Sequence, residues 1–381
     1  MLVVLTLIED ATLFTPVPLG RANVLLADGR IAWIGPAQTA WSLPAPLKRI
    51  DGRGKWLLPG LIDPLAHVLG GGGEGGFAYR TPELSAEQAL QAGVTTLVGA
   101  LGTDSLTCNP AALLGKVREL AARGVSAYMY SGSYHLPVKT VTGSLEQDLL
   151  FIPEVIGVGE VAVSDHRSSQ PDHQSLAALA AEARTAGLLA GKRGLSFFHI
   201  GDAQSGLQPL CRLRDETDLP KEQFCPTHCN RNPHLLNEAV EWGKRGGWID
   251  LTTSTTPQME ASGDIAASRA LAWLLAQRVP EDRITLSSDA NASLPLFHDD
   301  GTLKSVEAGD IGSLWQAVVR ACREEKVPFH TALQCATRNP SRMLGLAGKG
   351  EIKVGADADL LLVNPESLQI EQVISAGQTR C

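Results

Sequence analysis

The chain has 381 residues, 44% of them hydrophobic and 19% charged. That suits one large soluble α/β unit with an appendage. A net charge of −8 disfavours a nucleic-acid-binding surface. The 7 cysteines form no regular framework and no secretory signal accompanies them, so reduced thiols in the cytoplasm are expected. Cys225 and Cys229 lack the second cysteine pair of a zinc ribbon.

The apolar start, Met1 to Ile8, stops at Glu9-Asp10 and reads as a first β-strand rather than a signal peptide. No run reaches the ~20 apolar residues of a membrane span. Asn23–Leu26 and Arg30–Ile34 flank Ala27-Asp28-Gly29, a hairpin signal. Ala358–Val363 and Ile370–Ile374 repeat this style at the far end. The two ends, 1–55 and 346–381, are therefore expected to meet in a small β-sandwich.

Between them, strands are expected at 57–62, 94–101, 125–131, 155–163, 195–199, 223–228, 247–252 and 283–289. They alternate with helical segments such as Ala111–Ala122, Ser175–Leu189 and Ala266–Gln277. Eight such units predict a (β/α)8 TIM-like barrel over 56–345. Active sites of that fold lie at the C-terminal strand ends. Here those ends carry His67, Thr103, Tyr134, Glu160, His199, His228, Thr252 and Asp289.

Each of these residues has a plain and a chemical reading. Glu160, inside an apolar run, is either an Arg partner or a metal ligand; a cation would stabilise its charged form. A lone His is usually a core residue, but His199 and His228 close successive apolar runs just after Glu160. Together the three match the three-ligand set of a catalytic zinc site. Asp289 is either a cap or the group that takes a proton from a metal-activated water and returns it to a leaving amine. Tyr134 is either packing or an oxyanion donor. The glycine run Gly70–Gly76 lacks the Lys-Ser/Thr of a P-loop, so it is expected to bring backbone close to a ligand, with Glu74 facing an amine. Arg167 and Arg231 suit carboxylates, while His135 and His166 are expected to be structural.

Several of these segments resemble the amidohydrolase superfamily, and within it the bacterial isoaspartyl (β-aspartyl) dipeptidases. They include Pro59-Gly60-Leu61-Ile62-Asp63, Gly70–Glu74, Gly93–Thr96, Thr103-Asp104-Ser105, Ser164-Asp165-His166-Arg167, Phe198–Asp202, Thr227-His228, Asn230-Arg231-Asn232, Leu286–Asp289 and Gly355–Leu360. The resemblance implies metal-dependent cleavage of β-aspartyl dipeptides by a homo-oligomer. It implies His199 and His228 as metal ligands, Asp289 as an acid/base touching the metal, and Tyr134 as the carbonyl-polarising group. It also implies Glu74 on the substrate's α-amino group, with Arg167, Arg231, Thr103 and Ser293 on its carboxylates or backbone.

Two positions depart from the family pattern. Leu65-Ala66-His67 replaces the superfamily's His-x-His, and Glu160 stands where the dipeptidases carry a carboxylated Lys, with an extra residue near Gly159. One firmly held divalent cation, zinc first among the candidates, is expected on Glu160, His199 and His228. A second would rest on His67, Asp289 and a shared Glu160. Other readings are hydrolysis of N-acyl amino acids or cyclic imides, or a non-catalytic metabolite-binding homologue.

Overall fold

The computed structural model describes residues 5–39, 47–298 and 302–381. The expected N-terminal strand is Leu5–Phe14; Met1 to Val4 lie outside the described residues. Both chain ends enter one eight-stranded sheet. Its strands are Leu5–Phe14, Pro18–Ala27, Arg30–Pro36, Leu47–Asp51 and Trp56–Pro59 from the N-terminal side, with Leu360–Val363, Ile370–Ser375 and Gln378–Thr379 from the C-terminal side. The expected hairpin turn is present, with Asp28 (φ 49°) and Gly29 (φ 73°) both left-handed, as a two-residue turn matching strand twist requires.

The first strand bends at a bulge between Ile8 and Ala11, where Asp10 has φ 59°. Before the bend it pairs with Leu47–Asp51, and after it with Trp56–Pro59. Ile8, Leu13, Val24, Ile31, Leu57, Leu360, Leu362 and Ile374 then share one buried apolar cluster.

The run expected as a single strand over 57–62 is divided. Trp56–Pro59 pairs antiparallel with Leu360–Val363 in the end sheet, whereas Leu61–Ala66 pairs parallel with Val94–Gly99. Gly60 makes the break: its N–H donates to the Asp359 carbonyl at 2.8 Å, and a Cβ there would collide with the Thr95 side chain.

The middle of the chain builds a curled six-stranded parallel sheet. In spatial order its strands are Phe224–Thr227, Leu195–Ile200, Val155–Val163, Ser126–Ser131, Val94–Gly99 and Leu61–Ala66. Ile249–Thr252 and Ile284–Ser287 form a further parallel pair. Backbone bonds tie this pair to both edges of the sheet. Cys229 N donates to Asp250 O at 3.1 Å, Asp289 N to Leu65 O at 3.1 Å, and His67 N to Ala290 O at 2.8 Å. The arrangement is consistent with a TIM barrel. Every residue of Val155–Val163 is buried, as expected where helices cover a parallel sheet. The covering helices include Pro110–Ala122, His173–Ala190 and Ala267–Ala276, close to the expected segments. Asn109 and Asp172 accept backbone N–H groups at the starts of the first two.

Two buried carboxylates brace the wall below the strand ends. Asp63 accepts the Ser288 N–H at 3.0 Å and the Leu65 N–H at 3.3 Å, together with the Ser288 hydroxyl. Asp250 accepts hydroxyls from Thr227 (2.7 Å), Thr285 (2.6 Å) and Ser287 (2.5 Å). Burial pushes Asp63 up to about 7 and Asp250 up to about 6, against the hydrogen bonds that favour their charged forms.

Candidate metal centre and active site

Glu160 reaches the site through a bulge. Along the pairing with Leu195–Ile200, Ser196 faces Val158 and Phe198 faces Val161, so Gly159 and Glu160 together oppose Phe197. This is the extra residue visible in the sequence. Gly159 (φ 155°) passes so close to the neighbouring strand that a Cβ would lie 2.8 Å from the Phe197 carbonyl oxygen. The bulge re-aims the next side chain, and Glu160 points inward, fully buried.

One Glu160 oxygen, Oε1, meets both imidazoles: His199 Nδ1 at 2.8 Å and His228 Nε2 at 3.0 Å. Each ring's other nitrogen is tied to a protein oxygen. His199 Nε2 lies 2.9 Å from Asp165 Oδ2, and His228 Nδ1 lies 2.6 Å from Thr252 Oγ1. Both nitrogens of His199 face a carboxylate, which can only accept; with a cation on Nδ1, the ring proton would sit on Nε2 and point at Asp165. Such an outer partner fixes the tautomer of a ligating histidine. Burial and the nearby His199 hold His228 down at about 4, so its ring is neutral at physiological pH. Burial alone would raise the Glu160 carboxyl, but the His199, His228 and His67 imidazoles outweigh it and keep the carboxyl well below its ordinary range.

The donor set fits a divalent cation. Ligand atoms of Glu160, His199 and His228 all lie within 4.8 Å of one another. His67 Nε2 stands 3.5 Å from Glu160 Oε2 and 3.2 Å from Asp289 Oδ1. Those contacts lack hydrogen-bond geometry, so Glu160 Oε2 and Asp289 Oδ1 are buried without a hydrogen bond, and His67 Nδ1 is buried without one as well. Two orphaned carboxylate oxygens are costly unless a cation or proton compensates them. Burial opposes charge on His67, yet Asp289 and Glu160 hold it up at about 10. The Asp289 carboxyl is lowered, because His67 and His228 overcome its burial.

Above this cluster opens a cavity of about 540 Å³, lined among others by His67, Glu74, Thr103, Tyr134, Arg167, Arg231, Asp289 and Ser293. Ten of the eleven site residues singled out from the sequence thus line it, and Glu160 lies buried beneath. Tyr134 OH is 2.8 Å from His199 Nδ1. Its phenol is raised well above the usual value by burial and by Glu160, so it remains a donor. Glu74 Oε1 accepts the Thr103 hydroxyl at 2.6 Å and lies 3.5 Å from Arg167 Nη1. Gly70, Gly72, Gly73 and Gly76 all have φ between 79° and 101°, a left-handed path that lets the loop approach Ser293. Arg231 Nε donates to the Ile200 carbonyl at 3.1 Å, which fixes the guanidinium. His135 reaches the Arg167 carbonyl at 2.9 Å, and His166 is exposed.

Asp165 is the residue at the site that sequence reasoning passed over. Besides holding His199, it accepts from Arg167 through both oxygens, at 3.0 Å from Nε and 2.8 Å from Nη2. The acid two positions before Arg167 was the available signal.

A model of the amidohydrolase family matches residues 232–380. The crystal structure of a β-aspartyl dipeptidase from Fervidobacterium islandicum AW-1, in complex with the β-Asp-Leu dipeptide, superposes with a TM-score of 0.93. It is 37% identical and covers 99% of this chain and 96% of that one. A second structure of that bacterium's β-aspartyl dipeptidase gives a TM-score of 0.90 at 36% identity, over 98% and 96% of the two chains. The imidazolonepropionase of Methylobacterium sp. (strain 4-46) is 33% identical over 121 residues, 31% of this chain and only 30% of that relative. Identity of this order over almost the full length of both chains shows that the protein belongs to the amidohydrolase family, alongside the β-aspartyl dipeptidase of F. islandicum.

Proposed function

We propose that the protein is a metal-dependent amide hydrolase that cleaves β-aspartyl dipeptides. The observation that carries this reading is the combination in one cavity of a cation-ready Glu160–His199–His228 cluster with an acid, Glu74, and two arginines, Arg167 and Arg231. That charge pattern complements a small zwitterion bearing one ammonium and two carboxylates. A divalent cation held by Glu160, His199 and His228, with His67 and Asp289 beside it, supplies Lewis-acid polarisation of the amide carbonyl and lowers the pKa of water. Zinc suits two imidazoles and a carboxylate. One ion is expected to be firmly held, because Leu65 offers no donor to a second.

The chain's own groups then do the rest. Glu74, steadied by Thr103, receives the α-ammonium. Arg167 and Arg231 take the carboxylates, and Ser293 supports the backbone of the substrate. Tyr134 donates a hydrogen bond to the carbonyl oxygen as it gains charge. Asp289 takes a proton from the attacking water and delivers it to the leaving nitrogen; one C–O bond forms and the C–N bond breaks.

The same reading extends to the frame. The parallel strands close as a (β/α)8 barrel over the expected 56–345, with the junction at Gly60. The ends, 1–55 and 346–381, fold as a sandwich around the cluster shared by the bent first strand. Seven thiols without disulfides suit a reducing cytoplasm. The exposed apolar side chains of Leu150, Phe151, Leu188 and Leu189 suit association of copies.

The test is amine release from β-Asp-Leu by zinc-loaded protein, compared with α-Asp-Leu, N-acetyl-aspartate and a cyclic imide. Cleavage restricted to the β-linked dipeptide is expected. An Asp289→Asn variant should retain its metal and lose nearly all turnover. Preference for the acetylated amino acid or the imide would replace the dipeptidase reading.

A further inference from the structure

Six carboxylates line the cavity: Glu74, Asp104, Asp165, Asp202, Asp264 and Asp289. Four are engaged: Glu74 by Thr103, Asp104 by Arg80, Asp165 by Arg167 and His199, and Asp289 by His67. Asp202 is exposed. Asp264 differs from all of these. It is half-buried and, among the described residues, makes no side-chain hydrogen bond or ion pair.

Nor is Asp264 a wandering surface acid. Its N–H donates to the Met259 carbonyl at 3.0 Å. The next residue, Ile265, is clamped to Asn230 by two bonds: Ile265 N to Asn230 O at 2.9 Å, and Asn230 Nδ2 to Ile265 O at 2.7 Å. Asn230 in turn is held by Thr252 and stands two positions after His228. The backbone at Asp264 is therefore fixed to the frame of the site, and its carboxylate lies within electrostatic reach of Arg231. Burial pushes Asp264 up to about 6, and Arg231 offsets this only in part. An acid kept partly desolvated without a partner is a place for a cation from outside.

The rest of the lining bears on which kind of cation. Met259, whose carbonyl holds the Asp264 N–H, lines the same cavity, as do Leu294 and Val306, so the cavity offers apolar surface as well as a carboxylate. A flexible hydrocarbon stem carrying a cationic head suits that combination. Arg231 is assigned above to a carboxylate. An α-carboxylate and a side-chain cation on the same residue would satisfy both charges.

We propose that Asp264 is a specificity-determining residue that favours dipeptides whose leaving residue carries a basic side chain, lysine or arginine. The proposal rests on the dipeptidase reading and goes beyond it in naming the leaving residue.

The experiment compares kcat/KM of zinc-loaded protein for β-Asp-Lys and β-Asp-norleucine, which share a four-carbon stem and differ in the ammonium. β-Asp-Leu serves as the reference. The wild type should favour the lysine dipeptide by about fivefold, the effect of a partly exposed ion pair near the upper end of its usual range. In Asp264→Asn the ratio should fall close to one, while Asp264→Glu should restore the preference. Norleucine-dipeptide turnover by each variant reports that it is folded. An unchanged ratio in Asp264→Asn, or a wild type that prefers norleucine, overturns the proposal and leaves the dipeptidase reading standing. Failure to cleave any of the three dipeptides overturns both.

Discussion

Replacing Asp165 with Asn changes one atom, yet it should loosen the metal site. In the wild type, Asp165 Oδ1 accepts the Arg167 backbone N–H at 2.7 Å and Nε at 3.0 Å, while Oδ2 accepts Arg167 Nη2 at 2.8 Å and faces His199 Nε2 at 2.9 Å. An Asn can keep the first pair only by placing its NH2 where Oδ2 was. That group then meets an Arg donor, and it can be satisfied by His199 only if Nε2 becomes the acceptor. The imidazole proton would move to Nδ1, the nitrogen that faces Glu160 and should bind the cation. Loss of an outer carboxylate partner of this kind typically weakens metal affinity 10- to 100-fold, or about 1.4–2.8 kcal/mol. The assay is competition between purified protein and a chelator of known affinity, with metal content measured after dialysis. An affinity within about twofold of wild type would show that His199 does not depend on Asp165 for its tautomer, and the ligand assignment of Nδ1 would fall with it.

Tyr134→Phe should leave metal content intact and lower kcat by about 10²–10³, the usual loss for one oxyanion donor; a kcat within tenfold of wild type would remove that role. Gly159→Ala should displace the bulge from Phe197, costing about 1–3 kcal/mol in chemical denaturation and reducing bound metal, and an unchanged metal content would mean that Glu160 is aimed by something else. The buried Asp63 predicts a pH effect on stability. Its folded value of about 7 lies above its ordinary 3.8, so the folded protein holds the proton more tightly. The stability this confers is complete below about pH 4 and is lost as pH rises through 7. Asp63→Asn does not titrate, so thermal or denaturant melts should show it gaining on wild type between pH 4 and 8, by on the order of 4 kcal/mol. A difference that is flat, or of opposite sign, would place the carboxylate in a charged state throughout.

How much of this could be read from the chain alone follows from where the information resides. Parallel strands covered on both faces are apolar throughout, so a polar residue closing such a run stands out. Glu160, His199, His228 and Asp289 were visible for that reason, and the surplus residue at Gly159 was visible as a shift in spacing. The division at Gly60 was not, because Trp56 to Ala66 is apolar on both sides of the break and only the long-range partners, Leu360–Val363 and Val94–Gly99, separate the halves. Pairing of distant strands also decides whether the two chain ends share a sheet. Asp165 sits in a legible motif, but Ser164, with φ 54°, turns the chain there, and only that turn determines which of Asp165, His166 and Arg167 meets His199. Asp264 carries no sequence signal at all; its meaning comes from the clamp between Ile265 and Asn230.

The two departures from the family pattern gain a common physical sense from these contacts. Leu65 is fully buried in an apolar cluster with Ile62, Val98, Tyr130 and Phe197, so the missing imidazole is replaced by packing and not by a void. Two positions on, His67 stays on the site, facing the orphaned oxygens of Glu160 and Asp289. Glu160 meanwhile spends Oε1 on His199 and His228 together, leaving Oε2 toward His67. The side with two imidazoles and a permanent carboxylate offers three donors to a cation. The other side has one histidine, His67, whose charged form the two nearby acids favour. A cation there must displace the His67 proton as well as dispense with the donor that Leu65 lacks. Both terms act in the same direction, so the proposed preference for one firmly held ion would come from the proton on His67 as much as from the lost ligand.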